Sequence, residues 1–234
     1  MKVTAKNILV VDDDREIVRA IALNLESEGY TVFKAYDGLQ ALDIATTQEI
    51  HLIILDVMMP RMDGLATIMK LRESKNLPII VLSAKSEDND KVLGLTVGAD
   101  DYVTKPFNPA ELVARVKSQL RRYMSLGDIR TAGENIIENG RLTFNLSEHI
   151  LYADGEPVKL TPTEMKILEL FMRNPGRIFP ADEIYSRIWN EDSFSSENTV
   201  MVHIRRIREK IELNPRVPEY LKVVWGIGYV FERH

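Results

Sequence analysis

The sequence predicts an α/β domain with a doubly wound five-stranded parallel sheet, followed by a smaller α+β domain. Strand-like and helix-like patterns alternate five times between residues 7 and 122. Three of the strand-like segments, residues 8–11, 52–55 and 79–82, are continuous apolar runs, which is typical of parallel strands buried on both faces. Beyond residue 135 the pattern changes to short strand-like pieces, three helical stretches and a terminal hairpin.

Composition limits the class of protein. The 234 residues suffice for two domains, and 45% hydrophobic with 28% charged residues is ordinary for a globular chain. No apolar run approaches the ~20 residues that cross a bilayer, and the first residues lack the apolar core of a signal peptide, so we expect a cytoplasmic protein without a membrane partner. The absence of cysteine excludes disulfides and thiolate metal sites. A net charge of −5 gives no overall attraction to nucleic acid, so DNA binding would need a local basic surface.

Local signals place the elements of the first domain and its end. The second strand is predicted at residues 31–34, and Asp14 is expected to cap the first helix. The last helix begins with Asn108 as N-cap and Pro109 in its first turn, and its buried stripe is Leu112, Val116 and Leu120. Periodicity then fails, which predicts a linker at 123–135 between domains at 5–122 and 136–234.

The second domain is predicted to be a winged helix-turn-helix. Strand-like pieces at 141–145 and 149–152 precede a capping box, Thr161-Pro162-Thr163-Glu164, which opens the first of three helices. That helix ends near residue 174, and the others span about 181–189 and 197–213. Residues 220–224 and 228–231 form a hairpin around Trp225-Gly226-Ile227.

Polar side chains follow four of the five predicted strands. Asp12 and Asp13 come after the first, Asp56 after the third, Ser83 after the fourth and Lys105 after the fifth. Because ligands bind outside the carboxyl ends of such strands, we expect these side chains to meet. Clustered carboxylates repel one another, and Mg²⁺ relieves that repulsion. A carboxylate beside Mg²⁺ and an ammonium can attack phosphorus, so the set is sufficient for phosphoryl acceptance.

These residues resemble a known family. The stretch Leu55-Asp56-Val57-Met58-Met59-Pro60, continued by Met62-Asp63-Gly64, resembles the phosphoacceptor loop of bacterial response-regulator receivers, which have a flavodoxin-like fold. Val10-Val11-Asp12-Asp13-Asp14 and Lys105-Pro106-Phe107 support the resemblance, which covers residues 7–122. It implies that a sensor histidine kinase phosphorylates Asp56.

The same resemblance assigns roles around Asp56. It implies Mg²⁺ held directly by Asp13 and Asp56, through water by Asp12, and by the backbone carbonyl of Met58. It implies phosphoryl contacts from Ser83 and Lys105 and a cis Lys105–Pro106 peptide. Tyr102 matches the switch aromatic, which turns inward when the Ser83 hydroxyl moves to the phosphoryl group.

Two other functions are considered. Asp12-x-Asp14 resembles the nucleophile motif of haloacid-dehalogenase-type phosphatases, with Asp100-Asp101 as a possible acidic pair. However, in those enzymes the pair follows the lysine, and Asp56 would have no role. A constitutive DNA-binding protein with a vestigial receiver is the second alternative, and the intact acidic site argues against it.

The third helix of the second domain is the candidate DNA-reading element. Val200, Ile204, Ile207 and Ile211 form one apolar stripe. We expect the remaining positions to face DNA in the major groove, with arginines reading bases or holding phosphates; these are Thr199, Val202, His203 and Arg206, flanked by Arg205 and Arg208. A solvated helix paired with Glu209 and Glu212 is the alternative.

The second half resembles the effector domain of the OmpR/PhoB family, and several stretches are similar to VanR-type members. The matching stretches are residues 160–164, 202–208 and 224–229. They imply a recognition helix at 197–213, a wing at 225–229 and a loop at 192–196 that contacts RNA polymerase. Met201 stands where many members are acidic. Trp225 stands where some members use an Arg to reach the minor groove. The sequence therefore leaves open whether Trp225 is a core side chain or contacts DNA from the wing.

A mixed-charge surface on the fourth strand-helix unit and the fifth helix is the candidate dimer interface. Its residues are Lys91, Asp100, Asp101, Glu111, Arg115 and Arg122. By pattern alone, such a surface is usually solvated. In the resembling family it forms a symmetric homodimer after phosphorylation. The two tethered effector domains then engage two half-sites of promoter DNA.

Overall fold

The computed structural model describes residues 6–83, 97–125, 136–189 and 196–234. The chain divides into two compact units, Met1–Arg121 and Arg122–His234. Within the described ranges, no helix combines the length and apolar character needed to span a bilayer.

The first unit is a five-stranded parallel sheet with helices between its strands. The strands are β1 (Asn7–Val11), β2 (Thr31–Ala35), β3 (Leu52–Asp56), β4 (Ile79–Ser83) and β5 (Asp101–Thr104), in the order β2-β1-β3-β4-β5. The helices are α1 (Arg15–Ser27), α2 (Gly38–Thr47), α3 (Gly64–Ser74) and α4 (Pro109–Ser125). The predicted doubly wound sheet is confirmed. The helix expected between β4 and β5 falls mainly on residues outside the described part.

Burial and capping explain these elements. All residues of β3 and β4 are buried, as their continuous apolar runs predict. The stripe of α4 (Leu112, Val116, Leu120) is buried against the sheet, so that prediction is confirmed. Asp14 accepts the first backbone N–H groups of α1, and Asn108 accepts the Ala110 N–H at 2.9 Å, as expected. Helix α4 extends to Ser125.

The second unit is a winged helix-turn-helix, as predicted. A four-stranded antiparallel sheet comes first, with strands β6 (Ile136–Asn139), β7 (Leu142–Asn145), β8 (Ile150–Ala153) and β9 (Glu156–Val158). Helices α5 (Pro162–Met172), α6 (Ala181–Trp189) and α7 (Ser196–Ile211) follow. Strands β10 (Ile178–Phe179), β11 (Leu221–Val224) and β12 (Gly228–Phe231) form a three-stranded sheet. The sequence patterns did not reveal β6, β9 and β10.

The core of the second unit joins the helices to both sheets. Its large buried side chains include Phe144, Phe171, Phe179, Trp189 and Phe231. The predicted capping box at α5 is present, because Thr161 and Glu164 each accept the other's backbone N–H.

Candidate functional site

The carboxyl ends of β1, β3 and β5 bring four predicted residues together. The Nζ atom of Lys105 lies 2.6 Å from Asp12 Oδ2 and 2.6 Å from Asp56 Oδ1. One carboxylate oxygen from each of Asp12, Asp13 and Asp56 falls within 4.8 Å of the others. Asp12 and Asp56 are buried, whereas Asp13 is exposed. The parallel sheet therefore produces one cluster from residues that are distant in sequence.

Ser83 and Tyr102 lie on the neighbouring strands. Ser83 is the buried last residue of β4 and pairs with Thr104 in the sheet register. Tyr102 is half-buried in the middle of β5. The Lys105–Pro106 peptide is cis, as the resemblance implied.

Both oxygens of Asp56 are engaged. Oδ1 pairs with Lys105, and Oδ2 accepts the Met58 backbone N–H at 2.8 Å. Burial raises the pKa of Asp56 above its ordinary value, against the opposing effect of Lys105. Burial by itself would lower the pKa of Lys105, but the hydrogen bonds to Asp12 and Asp56 outweigh it and raise that pKa. Lys105 is therefore a fixed cation that two buried carboxylates share.

The donor set fits a divalent cation. Three carboxylates against one ammonium leave an excess of negative charge at the carboxyl edge of the sheet. Their hard oxygen atoms, with exposed Asp13 on the solvent side, suit Mg²⁺. Asp14 takes no part in the cluster, because its carboxylate caps α1.

The loop after Asp56 is fixed by contacts that sequence patterns did not reveal. The Gly64 N–H donates to the Val57 carbonyl at 2.9 Å. A Cβ on Gly64 would lie 2.2 Å from the Asp56 carbonyl oxygen, so only glycine permits this approach. Arg61, at φ +67°, pairs with buried Asp37, the N-cap of α2. Asp37 and Arg61 are 24 residues apart, and no local pattern could have linked them.

The phosphatase alternative does not agree with this geometry. Asp100 and Asp101 lie at the beginning of β5, whereas Lys105 follows its end, so the acidic pair and the lysine are at opposite ends of the strand. In addition, that alternative gives no role to Asp56, which is central to the observed cluster.

The candidate dimer surface requires a correction at Asp100. This residue is fully buried, where its carboxylate pairs with Arg72 at 2.6 Å and accepts the Ile79 N–H at 3.0 Å. It joins parts of its own unit, so the prediction that it faces a partner is wrong.

The other predicted interface residues differ in how exposed they are and in whether the structure describes them. Arg115 pairs with buried Asp101 at 3.2 Å and with exposed Glu111 at 3.0 Å. Lys91 lies outside the described residues, and only the helical backbone of Arg122 is described.

The predicted outward face of α7 also requires a correction. Val202, His203 and Arg206 are 2%, 0% and 8% exposed, so they do not face outward. The reason is that α7 packs against both α5 and α6, and its buried surface is wider than one stripe. The His203 ring lies beside Trp189, with centroids 5.5 Å apart, and Arg206 pairs with Glu164 at 2.9 Å.

Other residues form the outward face of α7. Met201 and Arg205 are exposed, and Arg205 pairs with Glu209 at 3.0 Å. Thr199 and Arg208 are half-buried, and Arg208 Nε donates to the Leu221 carbonyl at 2.7 Å. Trp225, at the tip of the β11–β12 hairpin, is 90% exposed, which excludes the core interpretation.

Both halves of the chain match known protein families. Residues 8–117 match the family described as response regulator receiver domain, and residues 155–231 match the family described as transcriptional regulatory protein, C terminal. The chain is 44% identical to the regulatory protein VanR of Enterococcus faecium, over 97% of this chain and 98% of VanR. It is 41% identical to the response regulator GtcR of Aneurinibacillus migulanus, over 97% and 95% of the two chains.

A solved structure supports the same assignment. The crystal structure of DrrB, a Thermotoga maritima OmpR/PhoB homolog, is 30% identical, with a TM-score of 0.51 over 98% of this chain and 100% of DrrB. The matches cover both units in the same order. This chain therefore belongs to the OmpR/PhoB-type two-component response regulators, with a receiver domain followed by a DNA-binding transcriptional regulatory domain.

Proposed function

We propose that this protein is a cytoplasmic switch that a partner sensor histidine kinase phosphorylates on Asp56. The phosphorylated chain forms a homodimer, binds two half-sites of promoter DNA and acts on RNA polymerase. One observation carries the proposal: buried Asp56 lies 2.6 Å from Lys105 and beside Asp12 and Asp13, in a chain whose second half is a DNA-binding domain. We assign residues 5–122 to the receiver, 123–135 to a linker and 136–234 to the effector domain.

The residues of the cluster have complementary roles in phosphoryl transfer. A carboxylate oxygen of Asp56 attacks phosphorus, and the bond to the donor breaks with its electron pair leaving on the donor. Lys105 neutralises charge on the transferred group, while the Met58 N–H keeps the carboxylate oriented. Ser83 contacts the new phosphoryl group, and Tyr102 fills the space behind it.

We propose the Mg²⁺ ligands from this set of oxygen donors. Asp13 and Asp56 would hold the ion, with the Met58 carbonyl and, through water, Asp12. When bound, Mg²⁺ would supply neutralisation of the excess carboxylate charge and of the phosphoryl oxygens.

Dimerisation would exchange ion pairs. Arg115 already pairs with exposed Glu111 in its own chain, so the Glu111 carboxylate of a second copy would be an equivalent partner, whereas Asp101 is buried. Lys91 and Arg122 complete the proposed interface. Such an exchange changes little Coulomb energy, so a small shift in population towards the phosphorylated conformation can decide between monomer and dimer.

Within the effector domain, α7 is proposed as the recognition helix. We propose that Arg205 and Arg208, with Thr199, contact DNA; Arg205 is exposed, and the other two are half-buried. Val202, His203 and Arg206 are proposed to position the helix, because they are buried against the rest of the domain.

The proposal is tested with the full chain, Mg²⁺ and a small phosphodonor. We expect one phosphoryl group per chain by intact mass, a monomer-to-dimer change by sedimentation velocity, and tighter binding to a promoter duplex. A phosphorylated chain that stays monomeric with unchanged DNA affinity would contradict the coupling. Steady multiple-turnover hydrolysis of a phosphomonoester would instead favour a phosphatase.

Charge reversal at Arg115 should separate dimerisation from phosphorylation. In Arg115→Glu, three carboxylates come together where one arginine now pairs with two acids, so we expect at least a ~10-fold weaker dimer, which is about 1.4 kcal/mol. Sedimentation equilibrium of the phosphorylated protein measures this. Lys117→Glu is the control, because Lys117 pairs with Glu28, on α1. Loss of phosphorylation in Arg115→Glu would count against the interface assignment.

Replacing Asp13, the exposed carboxylate of the cluster, should weaken Mg²⁺ binding. In Asp13→Asn we expect Mg²⁺ affinity to fall at least ~10-fold, since one anionic oxygen ligand is replaced by a neutral amide. Isothermal titration calorimetry measures this. Asp14→Asn, at the adjacent position, is the matched control. Asp14 is outside the cluster, and Asn caps a helix as well as Asp does. Equal affinities for the two variants would remove Asp13 from the ligand set.

A further inference from the structure

The effector domain carries an exposed apolar surface beside its recognition helix. It is formed by Met201 of α7 and by Val223, Trp225 and Ile227 of the β11–β12 hairpin, which we call the wing surface. Trp225 is 90% exposed, and Met201 and Ile227 are about half exposed. Together they line a groove of about 380 Å³ between helix and hairpin. Contiguous exposed apolar side chains of this kind mark interaction sites.

The hairpin holds Trp225 in a defined position. The Ile227 N–H donates to the Val224 carbonyl at 3.0 Å, which closes a turn with Trp225 at its corner and Gly226 at φ +73°. Gly228 anchors the base of the turn, where a Cβ would lie 2.2 Å from the Phe179 carbonyl oxygen. An aromatic side chain on a fixed turn loses little conformational entropy when it binds.

Charge and continuity indicate DNA as the occupant. Met201 and Arg205 are four residues apart on the outward face of α7, so the wing surface continues the basic part of that face. None of the described residues that line the groove is acidic, although acidic residues outnumber Lys and Arg in residues 134–234. A groove whose described lining carries no carboxylate, one helical turn from exposed Arg205, suits a polyanion with apolar base and sugar atoms.

We propose that the wing of this protein binds DNA by apolar contact instead of by a phosphate-binding cation. Met201 packs against a thymine C5-methyl group in the major groove, and Trp225 packs against deoxyribose and base atoms at the adjoining groove. The inference rests on the proposed DNA-binding function and adds the chemistry of recognition: affinity at this contact is insensitive to salt and depends on thymine.

The salt dependence of binding tests the role of Trp225. The probe is a duplex that the wild-type phosphorylated chain recovers from a random-sequence pool. We expect Trp225→Ala to lower affinity roughly 10-fold with an unchanged slope of log affinity against log salt, because no phosphate contact is lost. Trp225→Arg should steepen that slope by about 0.9. Val217→Ala, an exposed apolar position that does not line the groove, should match the wild type.

Thymine substitution tests the role of Met201. Replacing thymines of the same duplex one at a time by deoxyuridine removes single methyl groups. At one thymine in each half-site, we expect wild-type affinity to fall about 4-fold, the effect of exposing one buried apolar carbon group. Met201→Ala should bind the duplex more weakly than the wild type. Its affinity should no longer change when the thymine at that position is replaced by deoxyuridine, and should still change at any other sensitive position. A variant that keeps full sensitivity at every position would overturn the methyl contact.

Tryptophan fluorescence provides a direct readout. The chain has two tryptophans, and Trp189 is buried in the core. We expect duplex binding to quench the tryptophan fluorescence of the wild type. The fluorescence of Trp225→Phe should not change when the duplex binds. Unchanged melting temperatures would show that the variants fold.

The possible outcomes separate this inference from the function on which it rests. If the wild type binds DNA and Trp225→Ala binds equally well, the inference is wrong and the proposed function stands. If Trp225→Ala alters only self-association, the surface joins two copies of the chain and the inference is also wrong. If the phosphorylated wild type recovers no duplex, both fail.

Discussion

Asp56→Asn is expected to abolish phosphoryl acceptance. The amide has nearly the same shape as the carboxylate and can still accept the Met58 N–H, so the loop should keep its conformation. It lacks the anionic oxygen that attacks phosphorus, and it removes the 2.6 Å pair with Lys105. Loss of an essential nucleophile lowers rates by more than ~1,000-fold, so no phosphorylated chain should be visible on a phosphate-affinity gel or by intact mass.

The control for this experiment lies in the same loop. Asp63 caps α3 by accepting the Ala66 N–H at 2.7 Å, and Asn can replace it in that role. Asp63→Asn should therefore be phosphorylated like the wild type. A phosphorylated Asp56→Asn chain would place the acceptor on another residue and overturn the central assignment.

Glu164→Ala is expected to destabilise the effector domain strongly. Its buried carboxylate pairs with Arg206 and Lys210 and also completes the capping box of α5. Removal breaks the buried ion pair with Arg206, which costs about 3–5 kcal/mol, and the lost cap adds roughly 1 kcal/mol. Urea unfolding followed by tryptophan fluorescence measures this, because both tryptophans lie in the second unit.

Two further variants isolate the cause. Glu164→Gln can still accept the Thr161 N–H, so it should lose the charge pairing but keep the cap and be less destabilised than the alanine variant. Glu209→Ala removes a surface pair with Arg205 and should change the free energy of unfolding by less than ~1 kcal/mol. Equal losses for Glu164→Ala and Glu209→Ala would show that the buried network contributes no more than a surface ion pair.

Local patterns determined most of the elements and the composition of the acidic cluster. The apolar runs of β3 and β4, the caps Asp14 and Asn108 and the capping box at Thr161 are short-range signals, and the structure contains each of them. The cluster was predictable because the ends of parallel strands must meet at one edge of the sheet.

The errors arose where the outcome depended on contacts distant in sequence. The sequence predicts Asp100 at an interface, but the residue is buried against its partner Arg72, which lies 28 residues earlier. A single apolar stripe predicts that Arg206 faces outward, but α7 packs against two helices. Arg206 is buried there in an ion pair with Glu164, which lies 42 residues earlier in the chain. Strand β10, with two residues, is too short to show a period.

The doubly engaged carboxylate of Asp56 has a consequence for which phosphodonors the site can use. Neither oxygen is idle, since one is bound to Lys105 and the other to the Met58 amide. Under the proposed function, each carboxylate oxygen still has a lone pair outside these bonds, so Asp56 can attack phosphorus without leaving either partner. The resting protein would thus already hold its nucleophile in the reactive orientation, and a kinase and a small phosphodonor would differ in how they deliver the phosphoryl group and not in what they require of Asp56.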